Sequence, residues 1–208
     1  MPNYCYSFLR FETINEAGKE KFRMLANRVT EENLFSDMMQ DGTIDREEMY
    51  TRAWQHDHVG PKWTHIEDLD EDDCTVSMNS AWSQPEEGAR WLVGQIAEVD
   101  PNVVAIFTYQ EEQPNFAGVD IFFGEEVYDA MENDYDEIKE LVEARVEELS
   151  EMKDDDGDYT EDGWDTFNES VYEVIDDITN EFIERVLDEI AGEVQIKLGM
   201  ANGEPERS

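Results

Sequence analysis

The chain has 208 residues, with 54 Asp and Glu against 15 Lys and Arg, a formal net charge of −39 and a pI near 4.1. Such a surface repels phosphates, which excludes direct nucleic-acid binding and an anionic membrane and leaves basic proteins or cations as partners. With 39% hydrophobic and 11% aromatic residues the chain is too apolar for disorder, and no apolar run approaches the ~20 residues needed to span a bilayer.

The N-terminal MPNYCYSFLRFE has neither a basic n-region nor an apolar h-region, so no signal peptide is expected. Cys5 and Cys74 are the only cysteines, too few for a disulfide framework, and the expected compartment is the reducing cytoplasm. Tyr4–Glu12 alternates aromatic and polar positions and predicts a strand. Ile14–Val29 predicts a helix with Phe22, Leu25, Ala26 and Val29 on one face and Asn15 as cap. An insertion occupies about 30–60. Lys62–Glu67 and Cys74–Trp82 flank the acidic turn LDEDD and predict a hairpin. Glu86–Val99 follows as a helix with Trp91, Leu92 and Ile96 on one face, Pro85 at its start and Ser83 as a candidate cap. Val103–Glu111 and Phe116–Gly124 are predicted strands separated by QPN. The order is β-α-β-β-α-β with one strand added, that of an α+β, ferredoxin-like split βαβ sheet over residues 1–124.

Composition shifts after Gly124. Residues 1–124 hold 24 acids and 9 bases, whereas 125–208 hold 30 and 6. Glu126–Met152 predicts a helix with Tyr135, Ile138, Val142, Leu149 and Met152 on one stripe. Beyond the breaker KDDDGDYTEDG, Trp164–Leu198 predicts a longer one carrying Phe167, Val171, Val174, Ile175, Ile178, Phe182, Val186, Ile190 and Val194. Together they predict an acidic antiparallel helical hairpin with a frayed tail from Gly199.

Four segments carry a family resemblance: MPNYC, Gly60–Trp63 (GPKW), Ser80–Pro85 (SAWSQP), and Tyr109-x-Glu111-x4-Phe116-Ala117-Gly118. In this order residues 1–124 resemble the YubB-type ferredoxin-like proteins of bacteriophages and plasmids. Val59 and Thr64 stand where the family would have Trp and Asp. The resemblance implies a mobile-element protein, in which small proteins often counter host defence, and no catalytic residues. Trp63, Trp82 and Phe116 read as core fillers, and Gly118 as a site of close packing.

Catalytic groups are not gathered. Cys5 lies in a strand, the histidines fall between residues 56 and 65, and no P-loop or Rossmann glycine pattern occurs, so no enzyme is expected. His56, His58, His65 and Cys74 match no common zinc spacing. Asp37–Glu48 parallels an EF-hand loop: Asp37, Asp41 and Asp45 at positions 1, 5 and 9, Gly42 at 6, Thr43 at 7, Ile44 at 8 and Glu48 at 12, with Met39 in place of the oxygen ligand at 3. Ca2+ binding through Asp37, Asp41, Thr43, Asp45 and Glu48 is one expectation, and an acidic surface turn the other.

The acidic helices supply the remaining candidate. Residues 125–199 carry 28 acids and 5 bases, one net charge per about 2.3 Å of bundle axis against one per about 1.7 Å in duplex DNA. Glu143, Glu147 and Glu151 stack at i,i+4 with few basic partners, an arrangement that destabilises a helix. The expected function is a non-catalytic phage- or plasmid-type inhibitor, a DNA mimic that occupies the basic nucleic-acid-binding surface of a host defence protein. Its contact residues are Glu140, Glu143, Glu147, Glu148, Glu151, Asp154, Asp155, Asp156, Asp158, Glu173, Asp176, Asp177, Glu184 and Asp188. The apolar stripes also suit a homodimer. The alternatives are a calcium-responsive protein-binding module and a halophile-adapted protein without mimicry; six lysines suit salt adaptation, while twelve isoleucines and nine methionines do not.

Overall fold

The computed structural model describes residues 3–154 and 156–201, with side chains described to Val194 in the last helix; Met1 and Pro2 of the first motif, Asp155 and the tail 202–208 lie outside the described residues. The architecture is α+β, a six-stranded antiparallel sheet in the order β2-β3-β1-β4-β5-β6 flanked by helices.

Strand β1 (Tyr4–Thr13) alternates as its sequence does: Cys5, Leu9 and Phe11 are buried on one face, and Tyr4 and Tyr6 are exposed on the other. Asn15 caps α1 (Glu16–Ala26) by accepting the Gly18 amide hydrogen, as predicted. The insertion folds into two short helices, α2 (Arg46–Met49) and α3 (Arg52–His58), and contributes Phe35, Met38, Met49 and Trp54 to the core. The predicted hairpin is β2 (His65–Asp70) and β3 (Thr75–Ala81). Helix α4 (Glu86–Ala97) follows without the expected Ser83 cap: Pro85 takes the N-cap position, and the Ser83 carbonyl accepts instead from the Ser80 hydroxyl. Strand β4 (Val104–Glu111) lies beside β1 at the centre of the sheet, and β5 (Phe116–Phe123) follows on its other side.

The segment after Gly124 differs from the expected hairpin. Glu126–Asp134 is not helical; it is β6, paired with β5 along its length. The register shifts between Ile121 and Phe122, so Tyr128 bulges out of the ladder. That extra residue puts Val127, Tyr128 and Met131 at intervals of one and three, which imitates a helical stripe in sequence while serving both faces of a strand. Asp134 and Glu137 then form a reciprocal capping box that starts α5 (Tyr135–Arg145). A single 3-10 turn over Glu147–Glu151 precedes the acidic loop, and α6 (Glu161–Ala201) spans 41 residues, about 62 Å.

Two apolar layers hold the sheet. On one face Leu9, Val76, Met78 and Phe107 meet Phe22 and Leu25 of α1 and Leu92, Val93 and Ile96 of α4. On the other, Val104, Ile106, Val119 and Ile121 meet Ile183, Val186 and Ile190 of α6, while Ile138 and Val142 of α5 pack with Phe167, Val171, Val174 and Ile175. The stripe read from the sequence is real: its first half packs against α5, as expected of paired helices, and its second half against the sheet. Helices α5 and α6 cover β4, β5 and β6 and leave the same face of β1, β3 and β2 open. No described helix is long and apolar enough to cross a membrane.

Candidate binding surface

The apolar stripe of α6 points at the sheet, so the acids between its members point away. Glu173, Asp177, Glu184 and Asp188 are exposed on that outer side, and Asp176 is exposed at its flank, where it lines the hollow between α6 and the open sheet face. Arg185 is engaged by Glu189 and Asp129, and Arg145 of α5 bridges to Glu181 and Asp177. Among the described residues, Glu173, Asp176, Glu184 and Asp188 meet no ion-pair partner, so their charge is open to a second molecule.

The remaining predicted contact residues are less uniform. Glu140 is exposed on α5. Glu143 is half-buried and already used: its carboxylate accepts from the Tyr159 hydroxyl at 2.6 Å and the Lys153 ammonium at 2.9 Å. These bonds, Tyr159's first, hold its pKa below the usual carboxylate range and tie α5 to the acidic loop. Glu147, Glu148 and Glu151 are exposed, but α5 ends at Arg145, so the expected i,i+4 column of Glu143, Glu147 and Glu151 does not form. Asp154 turns inward on its own loop to accept the amides of Asp156 and Asp158, both exposed; Asp155 lies outside the described residues. Since α5 is only 11 residues long, no two-helix rod extends along α6. Helix α6 carries twelve acids and two bases, one net charge per about 6 Å, a sparser line than the 2.3 Å expected of a bundle.

The five residues of the EF-hand reading are not brought together. Asp37 is fully buried, held by the Thr30 amide and hydroxyl, the Tyr50 hydroxyl and Arg46. It joins the insertion to the end of α1 and does not face Asp41, Asp45 or Glu48. Asp41 accepts from the amide and hydroxyl of Thr43, which lowers its pKa, the hydroxyl bond first. Asp45 caps α2. Among the described residues no group of three or more His, Cys, Asp or Glu is placed to hold a metal ion, the histidines and Cys74 included.

Nor do the motif tryptophans fill the core. Trp63 is 51% and Trp82 53% exposed, with ring centroids 6.0 Å apart and the Lys62 ammonium 4.6 Å from one centroid and 5.8 Å from the other. Both backbones lie in the left-handed region, at φ 54° and 69°, where a bulky side chain is strained by about 1–3 kcal/mol. Each sits beside turn-forming residues, Gly60-Pro61 and Ser83-Gln84-Pro85. That context, more than their hydrophobicity, was the signal for exposure. With Tyr4 and Tyr6 they make an aromatic patch at one end of the open sheet face.

Other motif residues are structural. Tyr109 lies over Gly118, where a Cβ would come 2.6 Å from both the Tyr109 Cζ and the Met131 carbonyl oxygen, so no larger residue fits. Glu111 is buried and accepts from the side-chain amides of Asn3 and Asn115. Cys5 and Cys74 are free and buried, and burial pushes the Cys5 thiol up to about 11, which keeps it protonated and a poor nucleophile. No family model, curated protein or solved structure matches the chain.

Proposed function

We propose that this is a non-catalytic, phage- or plasmid-type inhibitor that lays the acidic outer side of α6 against the basic nucleic-acid-binding surface of a host defence protein. The observation that carries the reading is the one-sidedness of α6. Its apolar side is spent on α5 and the sheet, and the exposed acids Glu173, Asp176, Glu184 and Asp188 meet no ion-pair partner among the described residues. A helix serving only as a solvated cover gains stability by interleaving Lys with Glu, yet Arg185 is the one base among the described side chains of α6. The charge spacing supports a rod that competes for part of a groove, more than a full imitation of a duplex.

A ferredoxin-like origin of the first part is supported by the order β2-β3-β1-β4 with α1 and α4 on one face. The four motifs in sequence order support the YubB-type kinship.

The test is capture of partners from host extract on the full-length protein, with elution by duplex DNA. DNA and a rise from about 50 to about 500 mM salt should both release the partner, since that rise shortens the screening length roughly threefold. The combined variant Glu173→Gln/Asp176→Asn/Glu184→Gln/Asp188→Asn should capture little. Retention of the same partner by this variant, or a complex indifferent to DNA and salt, would sink the reading.

A further inference from the structure

We propose that the aromatic patch at the open end of the sheet receives an arginine or lysine side chain of that basic partner, making it a second, geometrically specific contact beside α6. The proposal rests on α6 facing the partner. Four of the exposed large apolar side chains among the described residues, Tyr4, Tyr6, Trp63 and Trp82, gather here, and exposed aromatics clustered in this way mark interaction sites.

A cation already lies on these rings: the protein's own Lys62 stands over both Trp63 and Trp82. Next to it, Tyr4, Tyr6, Trp63, His65, Glu67 and Asn79 line a hollow of about 390 Å³, in which no Lys or Arg takes part. Aromatic faces with a carboxylate at the rim attract a cation through the ring quadrupole and the ion pair together. Arginine suits the hollow best, because its flat guanidinium stacks while its edge donates to a carboxylate. The net charge of −39 selects the same sign of partner. The patch also joins α6 directly: the Tyr172 hydroxyl donates to the Glu112 carbonyl at 2.8 Å, and the Glu112 amide donates to the Tyr4 carbonyl at 2.7 Å. A basic surface lying along α6 therefore reaches the patch without leaving the molecule's face.

The experiment titrates a capped tri-arginine peptide into the full-length protein, read by calorimetry and tryptophan fluorescence. It is run at about 0.5 M salt, where the screening length of about 4 Å suppresses diffuse attraction. Trp63→Asn and Trp82→Asn, chosen because Asn tolerates positive φ, should each weaken binding about three- to tenfold. Glu67→Gln, at an exposed position that leaves the fold intact, should weaken it similarly. Lys62→Ala should tighten binding by removing the resident competitor, whereas Lys19→Ala on α1 should not. Unchanged affinity in the tryptophan variants and in Glu67→Gln would overturn the proposal, whatever the α6 variant does. Loss in these variants with full binding retained by the fourfold α6 variant would uphold the patch, and the α6 reading is then decided separately by the capture from host extract at low salt.

Discussion

Asp120 is one of the few buried acids of the fold. It projects from β5, is 7% exposed, and has its carboxyl pushed up to about 6, first by burial and then by Glu86, with Glu132 adding to this and Arg90 opposing it. The same burial, reinforced by Asp120, raises the phenol of neighbouring Tyr109. A carboxyl with a folded pKa above its unfolded value near 3.9 binds its proton more tightly in the native state. The stabilisation is full below about pH 4 and is lost as the pH rises through about 6, so at neutral pH the ionised group is a burden on the order of 1–3 kcal/mol. Asp120→Asn is expected to raise Tm at pH 7.5 by several degrees over the native protein, with the gain disappearing near pH 4. Thermal melts of both proteins at the two pH values check this, and a gain that persists at pH 4 would point to packing instead of charge.

The elements after Gly124 show how a local signal and a periodic one compete. The Asp134-x-x-Glu137 box marks the true start of α5 and was present in the sequence as the pattern of a capping box. The predicted helix, drawn on the stripe of Tyr135, Ile138, Val142, Leu149 and Met152, begins nine residues too far upstream, at Glu126. A bulge is set by pairing with β5, which lies outside the segment's own sequence. Removing the cap with Asp134→Ala should destabilise the protein by about 1 kcal/mol and lower Tm by about 2–4 °C, measured by thermal denaturation. An unchanged Tm would show that α5 is held by its packing on Ala117 and α6 alone.

The whole molecule is held as one sandwich. Truncation after Gly124 would strip β6, α5 and α6 from β5 and expose Val104, Ile106, Val119 and Ile121, all nearly or fully buried. These side chains are worth about 1.5–3 kcal/mol each when buried, comparable in sum with the 5–15 kcal/mol that keeps a domain folded. The truncated chain is therefore expected to aggregate or lack a cooperative melt, in contrast to an independent first domain. Size-exclusion chromatography and circular dichroism of residues 1–124 check this; a soluble monomer with a sharp melt would show that the second layer is dispensable.

By itself the sequence determined the charge, the order of the strands and helices through β5 apart from α2 and α3 of the insertion, the cap of α1, and most of the apolar side of α6, though not Ile183. Those follow from composition and periodicity, which are properties of a segment. The tertiary structure decided what covers each side. An apolar stripe has the same spacing whether it meets a second helix or a sheet, so Ile183, Val186 and Ile190 gave no sign that Val119 and Ile121 were their partners. It also decided that Glu143 is bound within the molecule and that Trp63 and Trp82 stand outside the core, because a hydrophobic residue names its preference for burial while the surrounding chain determines whether there is anything to bury it.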